Sequence, residues 1–256
     1  MNSHIQMPKC VLKQFANEDN VLFYYNYKDG HIAKSSAKYI NTEKNYYSDE
    51  MEMFFNRNIE TPFSKVIEEI KKPNRVFFDE TKVRSIYNFV NALIARSRFL
   101  ENHFKKSSDT YQVLPQGQAL NDFRVRFSYD LINGKGGVIN DYKMSIGINE
   151  SSIPFVLPNY GLYEFSCSGE ILINMPVTPL RSIIFIPDDS QFILKNDTSP
   201  FYFIEDEIMT LNEEAFYYEN SENRLSVASG SKSELERIVT KFQERIDYEK
   251  NEGWRY

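Results

Sequence analysis

A chain of 256 residues with 41% hydrophobic and 26% charged side chains has enough apolar area to close a sizeable core, which excludes a disordered polypeptide. Its formal net charge of -6 excludes a protein whose whole surface attracts nucleic acid, although a local basic patch is compatible with it. No run of about 18 apolar residues is present and the opening MNSHIQMPKC lacks a secretion pattern, so a cytoplasmic protein without a membrane span is expected. Cys10 and Cys167 are too few for a disulfide framework and lack zinc spacing, and are read as free thiols. The 17 Tyr and 20 Phe could build a stacking surface for bases or sugars, but core packing is their commoner use.

In chain order, VLFYYN (Val21 to Asn26) reads as a strand, Asp29-Gly30 as a tight turn and His31 onward as the returning strand. From Ser48 the apolar spacing becomes helical through Met51, Phe55, Ile59, Phe63, Val66 and Ile70, with Pro62 predicting a kink or a junction of two helices. A second helix is expected from an Asp79 cap to about Phe104. Asn88, Asn91, Arg98 and Asn102 fall on one polar stripe of it. Asp122 to Leu131 alternates apolar and polar residues and reads as a half-buried strand, with Arg124 and Arg126 on its polar side. Short apolar segments follow at Met144 to Ile148, Ile153 to Leu157, Ile171 to Met175, Ser182 to Ile186 and Gln191 to Leu194. Ser231 and Glu234 then suit the start of a terminal helix.

These elements predict an α+β fold: a helical N-terminal half packed against a mixed or mainly antiparallel sheet, with a C-terminal helix. No composition break divides the chain, so 1–256 is read as one domain. Residues 1–110 form its mainly helical part, 111–210 its β-rich part and 211–256 its helix-containing end.

Phosphate-loop, dinucleotide-loop, H-E-x-x-H and nucleophile-elbow patterns are all missing. The acidic groups Asp188-Asp189 and Glu205-Asp206-Glu207 could donate oxygens to a hard cation, but read better as solvated loops; no metal site and no cofactor are assigned. Asn88, Asn91 and Asn102, with Arg98, could bind a phosphate or carboxylate, or simply pair a helix edge with nearby loops. His4 precedes an apolar segment and, held against a core, could act as a general acid or base; a lone histidine more often satisfies a backbone group.

Several separated stretches resemble the mainly bacterial domain-of-unknown-function family 4238. HIQMPKCVLKQFA (His4 to Ala16) is similar to its histidine, proline, leucine and phenylalanine signature, and NTEKNYYS (Asn41 to Ser48) to its stretch before the first helix. FVNALIARSRFLENHF (Phe89 to Phe104) resembles its arginine-bearing helix end, which places weight on Arg96 or Arg98. MPVTP (Met175 to Pro179) and LNEEAF (Leu211 to Phe216) resemble a proline-rich strand and an asparagine-containing helix start. Where the family commonly has an aspartate after the strand read here as PFVL, this chain has Asn159, implying loss of any activity that needs that carboxylate.

The resembling segments are polar where packing alone does not require it, so the expected pocket gathers His4, Glu43, Arg98, Asn159 and Asn212. By analogy with such families, the expectation is an enzyme-like, hydrolytic, nuclease-like domain of bacterial conflict systems. The alternative is a non-catalytic module whose aromatic β-rich part binds a partner protein or small molecule. Nucleic acid as partner needs a contiguous basic face from Arg124, Arg126, Lys135 and Lys143, against the acidic total.

Overall fold

Side chains able to cap a helix open three helices where the sequence puts them. The computed structural model describes residues 2–5, 7–26, 29–40, 42–72, 78–97, 116–134, 139, 141–190, 200–217 and 227–251. In it, Ser48 accepts from the Met51 N–H, Asp79 from the Lys82 N–H and Ser231 from the Glu234 N–H. The chain opens with β1 (Asn2–His4) and α1 (Lys9–Phe15), then the hairpin β2 (Val21–Asn26) and β3 (His31–Ser36), then β4 (Thr42–Lys44). The hairpin turns at Asp29-Gly30 as expected, with Gly30 at φ 64° and its N–H on the Asn26 carbonyl at 2.8 Å.

Helix α2 (Asp49–Phe55) runs through a π-helical turn (Asn56–Glu60) into α3 (Thr61–Ile70). Pro62 accounts for the junction. It has no N–H for the Asn58 carbonyl, and the wider turn just before it, closed by the Thr61 N–H on the Asn56 carbonyl, absorbs the mismatch. Helix α4 (Glu80–Ala95) starts at its Asp79 cap but stops at Ala95, short of the expected Phe104; residues 98–104 lie outside the described residues.

One expectation is overturned outright. Asp122 to Leu131 is not a strand but lies within helix α5 (Gln118–Gly134). The alternation misleads because Phe123, Phe127 and Leu131 recur every fourth residue along the outer face, at 40%, 48% and 46% exposure, while Arg124, Val125 and Ser128 are buried. Helix prevails because its inner face finds partners on α4. Arg124 Nη1 donates to the Ala95 carbonyl at 3.1 Å, and Asn91 Nδ2 to Asn133 Oδ1 at 3.0 Å. The basic strand face required of Arg124 and Arg126 therefore does not form: Arg124 is buried, and Arg126 pairs with Asp130 at 3.0 Å. Lys135 lies outside the described residues.

Strands β5 (Tyr142–Asn149), β6 (Leu157–Pro158), β7 (Tyr163–Cys167), β8 (Glu170–Thr178), β9 (Arg181–Pro187) and β10 (Phe201–Phe203) supply the β-rich part. Five of them form a sheet in the order β10-β5-β9-β8-β7, parallel only at β10 with β5. Helix α6 (Glu205–Tyr217), strand β11 (Val227–Ser229) and helix α7 (Lys232–Asn251) complete the chain. A second sheet, β3-β2-β11-β6, joins both ends of the chain, and β1 pairs with β4. The architecture is α+β with a mixed, mainly antiparallel main sheet and a C-terminal helix.

The segment Ile153 to Leu157, expected as a strand, enters one only at Leu157, and Gln191 to Leu194 lies outside the described residues. Glu205-Asp206-Glu207 is the first turn of α6 and not a loop; carboxylates suit the positive end of a helix. Buried apolar side chains form one cluster reaching from Ile5 to Phe242. Among the described residues, no helix is long and apolar enough to cross a membrane.

Asn212 holds the irregular stretch before β6 in place. Fully buried on α6, it accepts from the Val156 N–H at 3.0 Å and donates to the Pro154 carbonyl at 2.8 Å. Asn212→Ala strands both backbone groups and is expected to cost about 1–3 kcal/mol, read as a lower urea midpoint with an unchanged m-value.

Candidate functional site

Glu52, Asn56, Glu60 and Ser64 repeat every four residues along the α2–α3 run. In a regular α-helix each such step overshoots a full turn by about 40°, so the row would wind away from any one surface. The wider π turn takes rotation back midway, and all four side chains line one cavity of about 760 Å³. Helix α1 lines it with Lys9, Cys10, Lys13 and Gln14, the two lysines four residues apart on one face, and His4 at the end of β1 also borders it.

Beneath this cleft lies Arg96, the residue that ends α4, at 1% exposure. Its Nη1 meets Glu60 Oε1 at 3.2 Å and its Nη2 donates to the His4 carbonyl at 2.7 Å. The Phe55 ring lies 4.3 Å from the guanidinium carbon and the Tyr47 ring 5.6 Å from it. A guanidinium stripped of water is tolerable here because a carboxylate, a carbonyl and two aromatic rings replace it.

The environment separates the titratable groups of the cleft. Burial, then the positive charges of Arg96 and Lys9, lowers His4 from 6.5 to about 4, leaving a neutral imidazole at physiological pH. Burial raises the Glu52 carboxyl above its ordinary range, with Glu60 adding to the rise and Ser3 and Arg96 opposing it. Burial, with Glu60, pushes the Cys10 thiol up to about 12, so this cysteine stays protonated and is no nucleophile. His4 Nδ1, Glu52 Oε1 and Arg96 Nε are buried without a hydrogen-bond partner in the protein. Among the described residues, no three His, Cys, Asp or Glu side chains gather to hold a metal ion.

Of the residues singled out in the sequence, His4 lines the cleft and Arg96 underlies it; Arg98 and Asn102 lie outside the described residues. Glu43 sits opposite Ser3 in the β1–β4 ladder but is exposed and does not line the cleft. Asn159 is buried in the turn after β6, whose Gly161, at φ 77°, packs so closely on Met7 that a Cβ would collide with it. Neither Asn159 nor Asn212 lines the cleft. Asn88 and Asn91 share a separate hollow of about 280 Å³ with Asn133. Sequence reasoning missed Glu52, Glu60, Lys9 and Lys13. The four-residue repeat of polar side chains was the available signal, and it looks the same as a solvated helix face.

The fold and cleft define an α+β protein with a polar cleft between its N-terminal segment and a π-interrupted helix. The chain belongs to the family described as protein of unknown function DUF4238, which matches residues 6–216. No curated protein and no solved structure matches it. The matched span takes in Glu52, Glu60 and Arg96, and leaves His4 and α7 outside.

Two outcomes follow from the buried charges. Arg96→Leu leaves Glu60 facing a pocket without its cation and is expected to destabilise the fold by about 3–5 kcal/mol in chemical denaturation. For His4 the native pKa is depressed, so the unfolded chain binds the proton first. The associated stability is complete above about pH 6.5 and is lost as pH falls through about 4, by an amount on the order of 3 kcal/mol. Melting curves across that window should slope for the wild type and flatten for His4→Asn.

Proposed function

We propose that the cleft above Arg96 is a hydrolytic centre in which Glu52 moves the proton, His4 acts as a neutral hydrogen-bonding partner, and the Arg96–Glu60 pair fixes the geometry. The observation that carries this reading is the meeting of His4 and Glu52 on one open cavity, each with a buried side-chain atom that no protein group satisfies. A carboxyl raised by burial stands closer to neutrality than an ordinary one, and so can both take and return a proton. His4, lowered to about 4, is too weak a base to compete for it.

In the step this supports, the Glu52 carboxylate takes one proton from a water whose oxygen bonds to the electrophilic centre. The bond to the leaving group breaks, and the same proton passes to the departing atom, which restores the carboxylate. A nuclease-like version sets substrate phosphates against Lys9 and Lys13, but Asp49, Glu52 and Glu60 line the same cleft and repel a polyanion, which favours a small substrate. A role in bacterial conflict rests on the family resemblance and not on the cleft.

A second reading, a non-catalytic module that binds a partner protein, is favoured by the exposed Phe123, Phe127 and Leu131 stripe on α5. Turnover separates the two. A panel of esters, amides, glycosides and phosphoesters should include a hydrolysed class, with Glu52→Gln slowing it about 100-fold or more at unchanged melting temperature. Wild-type turnover in both Glu52→Gln and His4→Ala, or no turnover by the wild type on any class, removes the hydrolytic reading. Asn159→Asp should not raise the rate; a carboxylate buried at that position lowers stability instead.

A further inference from the structure

The walls of the cleft carry opposite charges that do not meet. Helix α1 contributes Lys9 and Lys13, and the α2–α3 run contributes Asp49, Glu52 and Glu60. Glu60 has its partner in Arg96. Among the described residues, neither lysine forms an ion pair with Asp49 or Glu52, whereas on the same molecule Lys71 with Glu68 and Lys232 with Glu236 close to 3.1 Å and 2.8 Å. Glu52 Oε1 is in addition a buried acceptor with no donor in the protein.

We propose that the cleft binds a small zwitterion of amino-acid or short-peptide size, its ammonium group against Glu52 and Asp49 and its anionic group against Lys9 and Lys13. Such a molecule satisfies both walls at once. A polyanion meets the carboxylates, and an uncharged sugar engages neither charged wall. An ammonium offers three N–H donors, which suits the Glu52 and Asp49 carboxylates that line this wall, and the cavity of about 760 Å³ is of the size that small-molecule sites have.

The inference rests on the reading that this cleft is the working site, and it is tested by binding, without turnover. Isothermal titration of the full chain with glycine, diglycine and triglycine is compared with their N-acetylated and C-amidated forms, and with O-phosphoethanolamine. At least one unmodified zwitterion should bind saturably, and each capping should weaken it about tenfold or more. Glu52→Gln should abolish the penalty for N-acetylation alone, and the Lys9→Gln, Lys13→Gln pair the penalty for C-amidation alone. Tighter binding of O-phosphoethanolamine than of diglycine supports the proposal with phosphate as the anionic end; the reverse supports it with carboxylate.

Equal affinity for capped and uncapped ligands, or no saturable binding of any zwitterion into the millimolar range, overturns the proposal. Should a variant not fold, the wild-type capping series decides alone. Zwitterion binding without hydrolysis upholds the inference and removes the hydrolytic reading. Hydrolysis of an uncharged ester that Glu52→Gln blocks, with no zwitterion bound, does the reverse.

Discussion

A guanidinium at 1% exposure is the constraint on which the rest of this structure turns. Removing Arg96 from water carries a desolvation cost that only close partners offset, and each partner comes from a different part of the chain. Glu60 comes from the π turn, the carbonyl of His4 from the first strand, and the Phe55 ring from the end of α2. The N-terminal strand, the interrupted helix and the end of α4 are thereby held to one point. Nη2 takes the His4 carbonyl and not its ring, and the imidazole, which the Ile40 backbone bonds, borders the cleft. The charge of Arg96 is committed to Glu60 and to the aromatic faces, and it bears on the proton affinities of His4 and Glu52, which it lowers.

The π turn has a second consequence beyond admitting Pro62. A continuous α-helix would carry both four-residue rows, the apolar Phe55, Ile59 and Phe63 and the polar Glu52, Asn56, Glu60 and Ser64, around the axis by the same amount. The extra residue in the turn keeps Glu52, Asn56, Glu60 and Ser64 together opposite α1 without lifting Phe55, Ile59 or Phe63 out of the core, all of which stay at 1% exposure or less. One local irregularity serves both the packing and the site, a frequent association for turns of this kind.

Much of the fold was legible wherever a cap and an apolar period agreed. Ser48, Asp79 and Ser231 mark true helix starts, and the Asp29-Gly30 hairpin and strands β5, β8 and β9 lie where the pattern put them. Helix α5 was misread because its exposed Phe123 and Phe127 mimic the alternation of a strand, and only the contacts of Arg124 and Asn133 with α4 resolve which period holds. The site was less legible for the same physical reason. Spacing shows which residues share a face, but not what that face meets. Glu52 and Glu60 therefore resembled a solvated surface, and Asn212 resembled a functional residue although its amide is spent on the backbone at Pro154 and Val156.

That contrast separates the two kinds of buried polar residue in this protein. Asn149 and Asn212 use both ends of their amides on nearby backbone and side-chain groups, and so act as rivets. Arg124 Nε and Asn174 Oδ1 are buried without a protein partner, and their side chains line none of the described cavities. At the large cleft, buried atoms without a protein partner belong to lining side chains whose proton affinities are displaced in opposite directions, His4 down and Glu52 up. A rivet has no reason to combine those features, since an unfilled polar atom beside a cavity costs stability and contributes nothing to packing. The combination has a physical rationale when a ligand completes it, and this is why the cleft, and not the more conspicuous asparagines of the sequence, carries the functional reading.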